Sequence, residues 1–320
     1  MGSWLSFHIY YTDHDLILTE CIASFVRDFL AADSQRSFFF IRYWDRGPHV
    51  RLRLLVPDQQ RREQIVVATI AELRAFMHVN PSTPPRLPTL GGVGSTLEEN
   101  NSVIRARYEP EYFRYGGAAA MSIAEDVFRG SSEIALSAIS SLRSQPLQRI
   151  SLILTLIAVT AQIFCQEEEM FVSYFGSYRR AVEESIRVDR AGKDVAQELY
   201  VADQARLGVQ IPALLDRAWQ WSTEGPAVSN AAASVWARLL RRAKVALAGL
   251  ELERPRDHLP AVDEVPVLMR PLWSIAISQS HMMANRLGAP ILTEARLVAL
   301  LHTYFVAASA KAHLGSRATT

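Results

Sequence analysis

Residues 38–56 read FFFIRYWDRGPHVRLRLLV and predict a β-hairpin. Residues 38–44 are almost entirely apolar or aromatic, which is typical of a strand covered on both faces. The next four residues, Asp45-Arg46-Gly47-Pro48, are turn formers. Residues 49–54 then alternate between polar and apolar side chains, which is the period of a half-buried strand. We therefore expect two adjacent antiparallel strands joined by a short turn.

The chain around the hairpin predicts a mixed first third and a helical remainder. Alternation over residues 5–11 indicates another strand, and the spacing of apolar residues predicts helices over about 15–31 and about 58–79. Residues 80–102 form a long loop, and residues 104–108 a further strand. After Gly117 the pattern is helical, over about 118–129, 131–143, 147–165, 167–187, 194–205, 210–222, 227–251, 265–286 and 293–313. The predicted fold class is α+β, as a single domain over residues 1–320 with an α+β part (1–117) and a helical part (118–320).

Composition and charge exclude several classes of protein. The 320 residues carry 34 basic and 33 acidic side chains, and a net charge of +1 argues against a nucleic-acid-binding surface. The two cysteines cannot form a disulfide framework or a cysteine-rich metal site. The most apolar stretch, 150–165, is short for a membrane span and suits a buried helix. With no secretory signal at the start, we expect a soluble, cytoplasmic protein with no nucleic-acid or membrane partner.

The second hairpin strand carries the first candidate site. His49, Arg51 and Arg53 lie on one face of that strand because side chains alternate with a period of two. Three adjacent potential cations repel one another, so an anion should bind there, and the arginine fork suits a carboxylate or an enolate. The structural alternative is a pair of acidic partners from the same protein, such as Glu109 or Glu111.

Two further places carry polar groups that could act in chemistry. Arg114 and Tyr115 precede the glycine pair 116–117, a pattern that indicates either close approach of a backbone or a plain left-handed turn. Later, Ser278, His281 and Asn285 share one face of an otherwise apolar helix, and Ser280 lies beside them in the chain. Histidine is the natural proton carrier near neutral pH, although a lone histidine on a helix is also often a structural core group.

Common catalytic motifs are missing from the sequence. It contains no HExxH, no Walker A loop, no GxGxxG and no GxSxG. Zinc-protease, nucleotide, dinucleotide and serine-hydrolase chemistry are therefore unsupported.

Five motifs occur in order along the chain: Phe39-Phe40-Ile41-Arg42-Tyr43, Gly47-Pro48-His49-Val50-Arg51-Leu52-Arg53, Tyr108-Glu109-Pro110-Glu111, Arg114-Tyr115-Gly116-Gly117 and His281-Met282-Met283-Ala284-Asn285-Arg286-Leu287. Together they resemble the C-terminal elimination domain of class I lantibiotic dehydratases, also called the thiopeptide-type bacteriocin biosynthesis domain. The resemblance extends from Trp4 to at least Leu287. The sequence departs from the family pattern at Ser131-Ser132, where Asp-Ser is common. It contains no counterpart of the large glutamylating domain, so we expect a stand-alone version.

The resemblance implies a tailoring enzyme for ribosomally made peptides that carry a leader segment. One reaction on this scaffold eliminates glutamate from glutamyl-serine or glutamyl-threonine. For it, the resemblance assigns the proton to His281 and the enolate and glutamate charges to Arg51, Arg53 and Arg114. The other reaction is a formal aza-[4+2] cycloaddition of two dehydroalanines, with loss of water and of the leader, giving the pyridine of a thiopeptide.

The retained arginines favour elimination, with pyridine synthesis as the alternative. His49, Tyr115, Ser278, Ser280 and Asn285 are expected to bind substrate in either case. The expected partners are a leader-bearing precursor peptide and a separate glutamylating enzyme, and neither reaction calls for a metal or an organic cofactor. A leader-binding scaffold without catalysis is a third hypothesis, and it predicts that loss of His281 leaves product formation intact.

Overall fold

The computed structural model describes residues 3–84, 97–165, 167, 169–186, 208–223, 232–253 and 270–317. The chain divides into two compact units. Unit 1 comprises Met1–Pro110 and Ser131–Ser144, and unit 2 comprises Glu111–Gly130 and Gln145–Thr320. The predicted helix over 194–205 lies outside the described residues, as does most of the predicted loop after residue 84.

An antiparallel sheet organises unit 1 and confirms the predicted hairpin and the α+β class. The strand order is β2-β3-β1-β4. Two residues with positive φ, Arg46 at 55° and Gly47 at 117°, turn the chain between β2 and β3. The strands are β1 (Ser3–Tyr10), β2 (Ser37–Trp44), β3 (Pro48–Val56) and β4 (Ser102–Ala106).

The two faces of this sheet differ in chemistry because the strands keep their alternation in register. One face is apolar and fully buried, and burying these side chains stabilises unit 1. The other face carries the arginines of β3. Residues of the first face are Leu5, Phe7 and Ile9 opposite Leu54, Leu52 and Val50. Residues of the second are His49, Arg51 and Arg53, opposite Tyr10, His8 and Ser6 on β1 and Tyr43, Ile41 and Phe39 on β2.

Two helices accompany the sheet in unit 1, and the second of them contacts β4. Helix α1 spans residues 14–31, and its middle, Ile17–Ile22, is π-helical. Its first turn is capped by Asp13, whose side chain accepts a hydrogen bond from Leu16 N at 2.9 Å. Helix α2 spans Arg62–Val79. At the edge strand β2, Phe40 N donates to Ser132 Oγ at 3.1 Å, which satisfies a backbone group that would otherwise be open to another chain.

Helix α3 (Ala118–Leu142) is continuous, so the predicted break between 129 and 131 is wrong. Gly130, the residue at the predicted break, lies within this helix. A Cβ at this position would come within 2.6 Å of Leu239 Cδ2, so the glycine allows close packing instead of ending the helix. The first part of α3 belongs to unit 2, and residues 131–142 belong to unit 1.

Unit 2 is helical, with α4 (Pro146–Phe164) at its centre. This helix packs against α6, α7 and α8. Buried polar groups on it are paired: Thr160 Oγ1 accepts from Trp236 Nε1 at 3.0 Å, and Lys244 Nζ donates to the Ile163 carbonyl at 2.6 Å. The remaining described helices are α5 (Met170–Ser185), α6 (Ile211–Thr223), α7 (Ala232–Ala248), α8 (Arg270–Arg286) and α9 (Ile291–Arg317).

Two of these helices are long and apolar enough to cross a membrane, judged by length and composition alone. They are Pro146–Phe164 and the Ile291–Lys311 part of α9. The apolar window of the first is 61% buried inside the protein, which agrees with the predicted core helix. Core helices pass the same test of length and hydropathy, so the expected absence of a membrane partner stays a prediction.

Candidate active site

His49 is locked in one neutral form on the polar face of the sheet. Its Nδ1 donates to the Gly47 carbonyl at 3.0 Å, and its Nε2 accepts from Arg51 Nε at 3.0 Å. Burial lowers the pKa of His49, and the charge of Arg51 lowers it further, against the Gly47 hydrogen bond. The sequence predicted a row of three cations on this face. The structure instead has two arginines and a neutral imidazole, and the imidazole orients Arg51.

Two side chains hold the guanidinium group of Arg51, one at its Nε and one against its flat face. His49 fixes Nε, and the ring of Tyr43 lies 3.4 Å beneath the guanidinium carbon. Its carboxylate neighbour is the mostly exposed Asp45, at 3.9 Å, and Glu111 pairs with Arg114 instead. His49 and Tyr43 thus hold the guanidinium group of Arg51 closely, with Asp45 as a more distant carboxylate partner.

Arg53 lies in an aromatic cluster on the same face. The guanidinium carbon is 6.0 Å from the Phe39 ring and 5.9 Å from the Tyr108 ring, and Trp4 contacts both rings. The residue is buried. Tyr108 belongs to a motif that the sequence analysis used only for the family resemblance, and the structure shows that its ring lines the Arg53 site.

The turn from residue 111 to residue 117 positions Arg114 and Tyr115 in unit 2. Gly116 and Gly117 have φ of +87° and +96°, and a Cβ on Gly117 would collide with the side chain of Glu253. Both earlier interpretations of the glycine pair, close approach and a left-handed turn, are therefore correct. Arg114 pairs with Glu111 at 3.1 Å, whereas Tyr115 is buried and burial raises the pKa of its phenol.

On helix α8 the predicted polar row is present and half-exposed. Ser278, His281 and Asn285 lie on the partly exposed side, and His281 keeps 31% of its side-chain surface exposed. Ser280 faces the other way: it is buried, near the hydroxyls of Tyr174 and Tyr178 but outside ordinary hydrogen-bond geometry with either. The structure thus separates Ser280 from the other three.

A buried carboxylate that the sequence analysis missed holds His281. Glu294, in the first turn of α9, is 1% exposed and accepts from His281 Nδ1 at 2.8 Å through Oε2. Its Oε1 accepts from Tyr178 Oη at 2.8 Å. Burial lowers the pKa of His281, but the charge and hydrogen bond of Glu294 outweigh it, so the pKa is raised above 6.5. With Nδ1 bonded to Glu294, Nε2 is the free proton-accepting atom.

No metal site accompanies these groups in the part of the chain that the structure describes. Within those residues, no three His, Cys, Asp or Glu side chains are grouped to hold an ion. The candidate residues therefore form two sets, each within its own unit. Unit 1 holds His49, Arg51 and Arg53. Unit 2 holds Arg114, Tyr115, Ser278, Ser280, His281 and Asn285.

The sequence model of the family described as lantibiotic biosynthesis dehydratase, C-terminal part, matches residues 4–305. The chain belongs to this family. Membership confirms the resemblance drawn from the five motifs, and it places the chain among the enzymes that tailor ribosomally made peptides. No curated protein matches the chain in sequence.

Solved structures establish the fold of this family member. The pyridine synthase TbtD from thiomuracin biosynthesis is 16% identical, with a TM-score of 0.72 over 94% of this chain and 96% of TbtD. TsrL is 17% identical, with a TM-score of 0.63 over 95% of this chain and 94% of TsrL. The tRNA-dependent lantibiotic dehydratase MibB from Microbispora sp. 107891 is 18% identical, with a TM-score of 0.56 over 94% of this chain, which spans 28% of MibB.

Proposed function

We propose that the protein eliminates glutamate from glutamyl-serine or glutamyl-threonine in a leader-bearing peptide, leaving dehydroalanine or dehydrobutyrine. The observation that carries this proposal is the His281–Glu294 pair. A buried carboxylate fixes one ring nitrogen of a half-exposed histidine and raises its pKa, which makes the other nitrogen a stronger base. Removal of a Cα proton needs such a base, because that proton is weakly acidic.

The reaction requires one proton acceptor and one leaving group. In our proposal Nε2 of His281 removes the Cα proton of the esterified residue, and the electron pair forms the Cα–Cβ double bond. The Cβ–O bond breaks and glutamate leaves through its ester carboxylate. The imidazolium, stabilised by Glu294, then returns its proton to water.

Cations assist by stabilising the negative charge that develops on the substrate. Arg114 is the candidate in unit 2, since its charge is close enough to lower the pKa of His281. For unit 1, we propose that the oriented guanidinium of Arg51 and the aromatic-lined Arg53 bind anionic groups of the peptide substrate. His49 then acts by orienting Arg51.

Pyridine synthesis is the second candidate, favoured by the fold comparison. TbtD aligns over almost its whole length with a higher TM-score than MibB does. A cycloaddition enzyme would use His281 for proton transfer during tautomerisation and loss of water, and it would have less need for the arginines. Retention of Arg51, Arg53 and Arg114 at the motif positions is our reason for placing elimination first.

The proposed setting follows from the proposed substrate. The peptide reaches the enzyme with its leader attached and glutamate already esterified to it, so a separate glutamylating enzyme must act first. We propose that both steps take place in the cytoplasm and that this protein needs no metal or organic cofactor.

Mass spectrometry of two leader-bearing peptides tests the proposal. The first peptide carries glutamyl-serine, and the second carries thiazoles and two preformed dehydroalanines. We expect loss of glutamate from the first, at a rate that His281→Ala lowers by about 10²–10⁴-fold. His78→Ala, at an exposed position on α2, is the matched control and should leave the rate unchanged.

The other outcomes assign the other functions. Release of an intact leader from the second peptide, with a pyridine in the remaining macrocycle, would make the protein a pyridine synthase. Binding of both peptides without any change in mass would support a scaffold.

A further inference from the structure

Within unit 2, a chain of hydrogen bonds extends inward from the half-exposed His281. It comprises His281 Nδ1, both carboxylate oxygens of Glu294 and the hydroxyl of Tyr178, with both contacts at 2.8 Å. Glu294 and Tyr178 are almost fully buried. A carboxylate buried to this degree is costly unless each oxygen has a partner, and here one oxygen is used by His281 and the other by Tyr178.

We propose that Tyr178 is a positioning residue for His281, acting through Glu294 to hold the imidazole with Nε2 toward the half-exposed side of α8. This inference rests on the proposed function, in which Nε2 is the base. Tyr178 does not touch the substrate in this account. It fixes the carboxylate, and the carboxylate fixes the imidazole.

The geometry gives Tyr178 this role because three helices meet at one carboxylate. Tyr178 comes from α5, His281 from α8 and Glu294 from the first turn of α9. A carboxylate bonded only to His281 could rotate about its last torsion and carry the ring with it. The Tyr178 hydroxyl fixes that torsion, since it bonds the oxygen that His281 does not use.

In its hydrogen bond with Glu294, the phenol of Tyr178 is the donor and the carboxylate is the acceptor. Burial raises its pKa well above 10, and the charge and hydrogen bond of Glu294 raise it further, so the hydroxyl keeps its proton. A donor on Oε1 spreads part of the carboxylate charge away from His281. Tyr178 therefore also moderates how strongly Glu294 raises the pKa of the imidazole, alongside Arg114, which lowers it, and Glu111, which raises it.

The test is the protonation of His281 in the full-length Tyr178→Phe variant, measured by nitrogen-15 NMR of labelled histidine with His281→Asn used for assignment. We expect the pKa of His281 to rise by about half a unit, because Glu294 loses one donor and its charge acts more strongly on the ring. The increasing limb of the pH–rate profile should move up by the same amount, and kcat should fall about tenfold with KM nearly unchanged.

Tyr174→Phe is the matched control. It removes another fully buried phenol from the same helix, one whose hydroxyl does not contact Glu294. The control should leave the pKa of His281 unchanged. An unchanged pKa in Tyr178→Phe, or equal shifts in the two variants, would overturn the inference.

Failure of the proposed reaction is a separate result. If the wild-type protein turns over neither peptide, the NMR titration still decides whether Tyr178 controls His281. Tyr178→Phe that loses activity without moving the titration would show a structural role only.

Discussion

Neutralising one buried carboxylate is the sharpest test at the scale of single residues. Glu294→Gln keeps the size of the side chain and removes the charge that raises the pKa of His281. We expect that pKa to fall by about one unit or more. Since the base form must be unprotonated, the increasing limb of kcat/KM against pH should move to lower pH, and the plateau should fall because a weaker base removes the proton more slowly.

The measurement is a pH–rate profile of wild type and Glu294→Gln on the glutamyl-serine peptide. Glu253→Gln is a suitable control, since Glu253 packs on Gly117 and makes no described bond to His281. A profile that loses height without moving along the pH axis would contradict the role of Glu294 as the group that sets the pKa.

Residue chemistry in the sequence identified His281 but not its partner. A polar row on an apolar helix singled out His281, because a helical period places such residues on one face. Glu294 and Tyr178 lie on other helices, and nothing in their local sequence links them to His281. The only available signal was an acidic residue four positions after Pro290, at a helix start, where it also has an ordinary role as a first-turn carboxylate.

At the scale of elements, the glycine pair before α3 fixes the turn that carries Arg114. Gly117→Ala should destabilise the protein by about 1–3 kcal/mol, because φ is +96°, a conformation that strains any residue with a Cβ, and the new Cβ would also displace the exposed side chain of Glu253. Gly249→Ala, where the added Cβ would lie 4.0 Å from the Ala246 carbonyl oxygen, is the control and should change stability by about 0.5 kcal/mol at most.

Urea unfolding of the two variants measures this difference. Activity gives a second readout, since a displaced Arg114 should slow elimination even where Gly117→Ala is still folded. Equal stability of the two variants would mean that the turn can relax around Glu253.

Element boundaries followed local pattern except where packing overrode it. The four strands were predicted from consecutive residues, by alternation in β1 and β3 and by an unbroken apolar run in β2, and β4 begins two residues earlier than the predicted 104–108. The break at Gly130 was wrong because a glycine can end a helix or let another helix approach, and only the Leu239 contact decides between the two. The π-helical turn Ile17–Ile22 likewise has no signature in the helical spacing.

At the scale of the whole molecule, three buried or part-buried histidines of unit 1 make its folded state sensitive to acid. In unit 1, burial and then nearby cations lower the pKa of His8 and of His14 to about 3, and burial lowers that of His49. The unfolded chain binds more protons than the folded one between pH 6.5 and about 3. The stability of unit 1 should therefore fall as the pH falls through this window.

Hydrogen–deuterium exchange, corrected for the intrinsic rate, measures this loss. Between pH 7 and pH 4.5 we expect the protection factors of β1 and β3 to fall in the wild type. In His14→Gln the fall should be about fivefold smaller, which corresponds to about 1 kcal/mol. The exposed His78 supplies the control, His78→Gln, which should follow the wild type. Equal losses in all three proteins would show that another group governs the acid response.

The sequence by itself determined the family, the α+β class, the hairpin and the polar positions His49, Arg51, Arg53, Arg114 and His281. These depend on residues close together in the chain, on strict alternation or on motif order. Tertiary structure alone decided that the His49 ring accepts a hydrogen bond from Arg51, that Ser280 faces inward and that Glu294 bonds both His281 and Tyr178. Each of these depends on side chains from separate elements meeting at one point, because protonation and orientation are set by three-dimensional neighbours rather than by sequence spacing.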